Sequence, residues 1–173
     1  MDDRRQPPLI IAVIGGSEPS KEAAAAAYEV GRELAMRGAI IVCGGLGGVM
    51  EAVCRGAKES GGTTVGILPG DHPAESNPYV DIPIATGLGY ARNAIVAKAG
   101  MAVIAIDGSY GTLSEIGHAL GDFKPVVGLG TWTFSTIEGE DTAVHRVNDP
   151  AAAAEKAVAL AHEHRESAAE ARS

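Results

Sequence analysis

Cysteine and aromatic residues are scarce in this chain of 173 residues, which holds two cysteines, one tryptophan, four tyrosines and two phenylalanines. Cys43 lies in an apolar run and Cys54 in a helical pattern, so we predict two buried free thiols and no disulfide. The chain is still long enough to bury roughly 70% of the surface of its unfolded form as one domain. So few aromatic side chains argue against a platform that stacks the bases of a nucleic acid.

Positive charge and long hydrophobic runs are lacking as well. The chain has 14 Lys and Arg against 22 Asp and Glu, for a net charge of −8, and no basic cluster exceeds Arg4-Arg5. A surface that neutralises the phosphates of DNA or RNA is therefore not expected, and we predict no nucleic-acid partner. The first apolar run, LIIAVI at 9–14, is shorter than a signal-peptide core or a membrane span. We therefore expect no membrane association and a cytoplasmic location.

What the chain does have is an alternation of apolar runs rich in Val and Ile with longer helical patterns. Strands are predicted at 9–15, 39–45, 63–69, 101–106 and 124–130, and helices at 21–38, 47–62, 88–100, 111–123 and from 150 onward. A further short strand is predicted at 80–82, and 131–147 fits neither pattern. Continuously apolar strands are typical of a sheet covered on both faces, and β–α alternation makes that sheet parallel.

The predicted fold class is therefore α/β: a three-layer, Rossmann-like, doubly wound parallel sheet in a single domain. We expect a flexible N-terminus at 1–8, the domain at 9–164 and a frayed tail at 165–173.

Three glycine-bearing corners follow predicted strands: IGGSEPS at 14–20, CGGLGG at 43–48 and IDGSYGT at 106–112. In an open parallel sheet, ligands bind beyond the carboxyl ends of the strands, where main-chain amides and helix N-termini attract anions. Each corner alone is weak evidence, because any tight turn can use glycine and the chain has neither a dinucleotide fingerprint nor a Walker A pattern. Three corners that converge on one edge predict a small phosphate-bearing ligand.

The third corner is followed by Thr112 and Glu115, which are three residues apart and can face the same crevice. An anion bound to the amides would leave Glu115 available for a neighbouring hydroxyl or a developing cation. The same Thr-x-x-Glu spacing is that of a capping box, which would satisfy the helix's own amides, and spacing alone leaves both interpretations open. His118 completes a Glu-x-x-His pattern without an identifiable third ligand, so no metal site is predicted.

Residues 107–115, DGSYGTLSE, resemble the signature Pro-Gly-Gly-x-Gly-Thr-x-x-Glu of the LONELY GUY (LOG) family of cytokinin-nucleotide phosphoribohydrolases. Arg92, in GYARNAIVAKAG, lies where that family carries an arginine, and 42–70 resemble its GGG…GLMG…A…GG…IGV.P stretch. The likeness covers most of 9–130 and extends to small bacterial molybdenum-cofactor-carrier-like proteins. Arg-Asn at 92–93 resembles this carrier-like branch more than the Arg-Lys of LOG enzymes.

The resemblance implies that the glycine–threonine loop binds the 5′-phosphate of a nucleoside monophosphate, and that Arg92 and Glu115 form a catalytic pair at its ribose. Asp107 and Ser109 depart from the family's proline and second glycine. A carboxylate about 6 Å from a bound phosphate would repel each unit charge by roughly 3 kcal/mol at an effective dielectric near 20. Tyr90 and Tyr110 are candidates to stack on a base. The candidate binding residues are Gly15, Gly16, Ser17, Gly44, Gly45, Asn93, Gly108, Ser109, Tyr110, Gly111 and Thr112.

The leading functional hypothesis is a LOG-like protein that binds a nucleotide 5′-monophosphate and hydrolyses its N-glycosidic bond without a cofactor. The alternative is a non-enzymatic carrier of molybdenum cofactor or of another phosphorylated pterin or nucleotide. A third hypothesis is a ligand-sensing interaction module. By resemblance, the chain is expected to form a homodimer or homotetramer.

Overall fold

A computed structural model describes residues 7–140 and 142–170 of the chain. Seven strands form one parallel sheet: β1 (Ile10–Gly15), β2 (Ile40–Cys43), β3 (Thr64–Leu68), β4 (Ile82–Ala85), β5 (Ala102–Ile106), β6 (Val126–Leu129) and β9 (Val144–Val147). A separate antiparallel pair is formed by β7 (Ser135–Thr136) and β8 (Gly139–Glu140). The helices are α1 (Lys21–Met36), α2 (Val49–Glu59), α3 (Asn93–Ala99), α4 (Tyr110–Gly121) and α5 (Pro150–Glu170), with short 3₁₀ helices at Pro73–Glu75 and Gly89–Arg92.

The strand order is β4-β3-β2-β1-β5-β6-β9, so the chain moves outward from β1 in one direction and then returns to build the other half beyond β5. β1 and β5 pair in parallel up to Gly15 opposite Ile106, and both strands end there. The order of connections reverses between these two strands, which opens a crevice beyond their carboxyl ends.

Helices cover both faces of the sheet, which confirms the predicted three-layer α/β architecture. Alternate residues of β1 enter two cores: Ile11 and Val13 pack in the cluster that contains residues of α1, α2 and α5. Ala12 and Ile14 pack in the cluster that contains residues of α3 and α4. The continuous apolar pattern of β1 follows from this burial on both faces.

Several elements differ from the predicted pattern. β4 occupies 82–85 instead of 80–82, and the stretch 131–147 contains β7, β8 and β9. The helix predicted at 88–100 begins with the 3₁₀ turn Gly89–Arg92 before α3. The helix predicted from 150 onward is α5, Pro150–Glu170, and the domain bound expected at 164 falls within it. Residues 1–6 of the N-terminus predicted to be flexible, and 171–173 of the predicted tail, lie outside the described residues.

Within the described part of the chain, none of the helices combines the length and the apolar character that a membrane span requires. Both cysteines are buried free thiols, with their sulfur atoms 3.5 Å apart.

Candidate functional site

A cavity of about 160 Å³ lies at the crevice beyond β1 and β2, next to the first turn of α4. It is lined by Ile14, Gly15, Ser17, Gly44, Leu46, Met50, Tyr90, Arg92, Asn93, Ser109, Gly111, Thr112 and Glu115. All three predicted corners contribute residues to it, because the carboxyl ends of parallel strands meet at one edge of the sheet.

The structure brings most of the predicted site residues together, but not all of them. Those that line the cavity are Gly15, Ser17, Gly44, Arg92, Asn93, Ser109, Gly111, Thr112 and Glu115. Tyr110 lines an adjacent groove, and Gly16, Gly45 and Gly108 are absent from the lining of both. Sequence reasoning missed the apolar wall formed by Ile14, Leu46 and Met50. Leu46 is the apolar residue among the glycines of CGGLGG, and it could have indicated an apolar wall at this corner.

Gly16, Gly45 and Gly108 instead hold the corners in position. The carbonyl of Gly16 accepts a hydrogen bond from Val49 N at 3.0 Å, which ties the first corner to the start of α2. The carbonyl of Gly45 accepts from the main-chain N–H of Asn77 at 2.8 Å. Gly108 has a φ of 126°, and a Cβ there would lie 2.6 Å from Thr112 Cβ. These glycines shape the backbone of the corners and do not line the cavity.

Arg92 and Glu115 form a buried ion pair in the cavity wall, in which each side chain is 8% exposed. Arg92 Nη1 lies 3.6 Å from Glu115 Oε1 and donates a hydrogen bond to Asn93 Oδ1 at 2.8 Å. Arg92 Nη2 donates to the carbonyl of Gly44 at 3.4 Å. A Cβ on Gly44 would lie 2.7 and 2.8 Å from Nη2 and Nη1, so the absence of a side chain there makes room for the guanidinium.

Burial controls the ionisation of this pair. It raises the pKa of Glu115 to about 7, against the opposing effect of the Arg92 cation. Burial also lowers the pKa of Arg92, with the Glu115 carboxylate acting in the opposite direction. An arginine stays protonated at neutral pH all the same. A carboxyl group whose pKa is raised toward neutral pH is suited to acid–base chemistry.

Two buried polar atoms in the cavity wall have no hydrogen-bond partner within the protein: Arg92 Nε and Thr112 Oγ1. The capping-box interpretation of Thr112 fails, because α4 begins at Tyr110 and Ser109 is its N-cap residue. The Ser109 side chain makes no capping hydrogen bond either. Leaving buried donors unpaired costs about 1–3 kcal/mol each, and both atoms belong to residues that line the cavity.

The model of the SLOG cluster4 family matches residues 8–157. The chain belongs to the SLOG cluster4 family.

Relatives of this SLOG chain include both proteins of known structure and plant enzymes. The molybdenum cofactor carrier protein of Chlamydomonas reinhardtii is 38% identical with a TM-score of 0.79, over 89% of this chain and 98% of the carrier. An uncharacterized protein of Archaeoglobus fulgidus is 46% identical over 69% of this chain and 78% of its own. The rice cytokinin riboside 5′-monophosphate phosphoribohydrolase LOG is 34% identical over 69% of this chain. The match spans 53% of the rice enzyme's length.

Asp107 does not line the cavity of this SLOG protein. It has a φ of 50°, its carbonyl accepts a hydrogen bond from Thr131 Oγ1 at 2.5 Å, and its N–H donates to Leu129 O at 3.3 Å. The residue lines two other hollows, each of which also includes Gly130.

The Glu-x-x-His pattern in this SLOG chain does not extend to a larger ligand set. Among residues 7–140 and 142–170, no group of three or more His, Cys, Asp or Glu side chains is placed to hold a metal ion. Glu115 is buried, whereas His118 is exposed on the surface of α4.

Proposed function

We propose that this protein binds a nucleoside 5′-monophosphate in the cavity and hydrolyses its N-glycosidic bond through Arg92 and Glu115. The observation that carries the proposal is the pair of unpartnered buried atoms, Arg92 Nε and Thr112 Oγ1. They lie in the wall of one cavity that also contains a glutamate whose pKa is raised to about 7.

The first turn of α4 is the proposed phosphate site. The hydrogen bond from Leu113 N to Ser109 O, at 3.0 Å, is the first i to i−4 bond of this helix. The amides of Tyr110, Gly111 and Thr112 precede it, and helix geometry leaves such amides without intrahelical acceptors. Together with the positive end of the helix, they form a binding site for an anion. The Thr112 hydroxyl would donate a further hydrogen bond.

Arg92 and Glu115 are proposed to act at the ribose. In hydrolysis, the bond between C1′ and the base nitrogen breaks, water adds to C1′, and the base leaves with a proton. The sugar passes through an oxocarbenium-like state, which a carboxylate stabilises. Glu115 would supply that carboxylate and would position or deprotonate the water, while Arg92 Nε would donate to a ribose or phosphate oxygen. The products would be the free base and ribose 5-phosphate.

The relatives support this proposal and also a second candidate function. The name of the rice LOG enzyme gives the proposed reaction class. The Chlamydomonas protein is a carrier, and its match covers 98% of its length, which favours a non-enzymatic carrier of molybdenum cofactor or of another phosphorylated pterin or nucleotide. Asn93 and Ser109, where LOG enzymes have lysine and glycine, favour the same candidate.

The two functions are separated by incubating the protein with AMP, GMP, CMP and UMP and measuring free base by chromatography. We expect base release that falls about 10²- to 10⁴-fold in Glu115→Gln and is unchanged in the control Glu155→Gln, whose side chain lies on the exposed surface of α5. Calorimetry on the same ligands reports binding. Saturable binding without base release would favour the carrier, and no binding of any monophosphate would overturn the proposed site.

A further inference from the structure

The cavity around Arg92 and Glu115 is too small for a whole nucleotide. Its volume is about 160 Å³, whereas sites for small organic ligands commonly span roughly 300–1,000 Å³. A ligand whose phosphate and sugar occupy this space must therefore extend beyond it.

The space it can enter is a groove of about 430 Å³ that opens from the cavity. Ser17, Asn93, Ser109 and Gly111 line both, as does Tyr90, so the two are continuous. Every described residue that lines the groove is uncharged. An uncharged lining can accommodate the neutral part of a phosphorylated ligand.

Two tyrosines line this groove with their side chains largely uncovered. Tyr90 comes from the 3₁₀ turn before α3 and is 89% exposed. Tyr110 is the first residue of α4 and is 81% exposed. Aromatic rings are the most effective surfaces for stacking on a planar heterocycle, and such stacking is tolerant of which base is bound.

The Tyr110 ring contacts the ring of Trp132, the single tryptophan of the chain. The ring centroids of Tyr110 and Trp132 are 5.8 Å apart, with the planes inclined at 37°. Trp132 Nε1 donates a hydrogen bond to Ser109 O at 3.2 Å, and Trp132 O accepts one from Arg146 Nη2 at 2.7 Å. Trp132 is thus anchored at its indole and at its backbone, and its ring lies beside that of Tyr110.

From these contacts we infer that Tyr90 and Tyr110 form a stacking site for the planar heterocycle of a phosphorylated ligand, and that Trp132 is a positioning residue for Tyr110. The inference rests on the proposed function, because it assumes that the phosphate lies at the first turn of α4. It adds where the ring system of that ligand lies, in the groove, and which residues contact it, Tyr90 and Tyr110.

The test compares AMP with ribose 5-phosphate, which lacks only the ring system. By calorimetry on Glu115→Gln, in which the proposed hydrolysis is slowed, we expect AMP to bind at least tenfold more tightly than ribose 5-phosphate, and the variants below carry the same substitution. Tyr110→Ala should weaken AMP binding about tenfold and leave ribose 5-phosphate binding unchanged, while Tyr110→Phe restores AMP binding. Trp132→Phe should lower AMP affinity less than Tyr110→Ala does, again without an effect on ribose 5-phosphate. Phe123→Ala is the control, since Phe123 is 87% exposed and outside the groove.

A second measurement needs no further variant. Because Trp132 is the only tryptophan and contacts Tyr110, AMP should change the intrinsic tryptophan fluorescence at concentrations where ribose 5-phosphate does not. Equal affinity for AMP and ribose 5-phosphate, with unchanged fluorescence, would overturn the stacking site and leave the phosphate site intact. A lack of binding by both compounds would overturn the proposed function and the stacking site together. A pterin monophosphate that binds more tightly than AMP, with the same dependence on Tyr110, would support the stacking site and identify the pterin as the preferred ring.

Discussion

Glu115 differs from an ordinary surface glutamate in its burial and in its raised pKa. It is 6% exposed, and burial raises its pKa to about 7 in spite of the guanidinium 3.6 Å away. A structural ion pair would be expected to hold a carboxyl in its charged form. The pKa of Glu115 is instead raised, so the charged carboxylate is less stable in the folded protein than in water. Such energetically unfavourable groups are common at functional sites.

The first prediction concerns stability against pH. Because the pKa of Glu115 is raised in the folded state, the folded protein retains its proton between about pH 4.5 and 7, where the unfolded chain has lost it. The stabilisation that protonated Glu115 gives to the folded state is fully present below pH 4.5 and is lost as the pH rises through 7. This loss lowers the free energy of unfolding by about 3 kcal/mol. Glu115→Gln imitates the protonated form. It should match the unmodified protein near pH 4.5 and exceed its free energy of unfolding at pH 8, as measured by urea unfolding.

Glu155→Gln is the matched control for that series, because Glu155 is exposed on α5. Its stability should follow the unmodified protein at every pH. A Glu115→Gln protein that was less stable than the unmodified one at pH 8 would show that the ion pair with Arg92, and not the burial of Glu115, dominates the energetics.

The second prediction concerns Gly44, which faces the Arg92 guanidinium. Gly44→Ala places a methyl group within 2.8 Å of both terminal nitrogens and 2.6 Å from Met50 Sδ, so these side chains must shift. AMP binding by calorimetry should weaken more than tenfold. Gly47→Ala in the same corner is the control, because the nearest atom to its added methyl is Glu51 Oε2 at 3.9 Å. Equal effects of the two substitutions would argue that Arg92 does not contact the ligand.

At the scale of the elements, α1 and α2 approach each other closely at glycines. A Cβ on Gly56 of α2 would overlap the carbonyl oxygen of Tyr28 in α1, which is backbone and cannot rotate away. The buried faces of both helices contribute to the same core. Their separation is therefore set by the absence of a side chain at this crossing.

The third prediction follows from that crossing. Gly56→Ala should lower the free energy of unfolding by at least about 2 kcal/mol, because the helices must move apart and loosen the core around them. Gly117→Ala is the matched control, since Gly117 lies within α4 with no atom near the added methyl. It should raise the free energy of unfolding by about 0.5–1 kcal/mol through the higher helix propensity of alanine. Thermal or urea unfolding of the two variants at one pH measures both changes in the free energy of unfolding.

The elements that could be predicted from sequence are those buried on both faces. β1 and β5 were expected within about one residue of their observed bounds, because a strand covered by helices on both sides is apolar throughout. β4 and β9 form the two edges of the sheet. β4 contains Pro83 and alternates between exposed and half-buried residues, and β9 reads VHRV. Edge strands carry little apolar pattern, so the sequence could not define them.

The candidate site shows a similar division. The convergence of the three corners could be predicted, because topology alone brings the ends of parallel strands to one edge. The position of Asp107 outside the cavity lining could not be predicted. It depends on the left-handed backbone at 107 and on the hydrogen bond from Thr131. The distance between Arg92 and Glu115 likewise depends on the 3₁₀ turn before α3, which has no distinct sequence signal.

For the molecule as a whole, the exposed apolar side chains of the edge strand β4 are the feature that bears on assembly. Ile82 and Ile84 are 49% and 46% exposed on one side of a strand that has only one neighbour in the sheet. An edge strand with exposed apolar residues offers a surface on which another chain can pair.

The fourth prediction is that the protein forms a homodimer or homotetramer through a surface that includes β4. Light scattering after gel filtration should give two or four times the chain mass of 17.6 kDa. The double substitution Ile82→Glu and Ile84→Glu should shift the protein toward the monomer, whereas Ile137→Glu, at an exposed position between β7 and β8, should not. A single species of chain mass at all concentrations would contradict the expectation.

The three corners also constrain how such a protein can diverge. A methyl group on Gly48 would lie 2.5 Å from Gly16 O, and one on Gly108 would lie 2.6 Å from Thr112 Cβ. The corners therefore leave no room for a side chain at Gly48 or Gly108, and a side chain at Gly48 would require a matching shift of the first corner. Tyr90 and Tyr110 are under no such constraint, because their side chains are mostly in solvent. Over evolutionary time, substitutions can therefore accumulate at these two outer positions while the glycine corners stay the same.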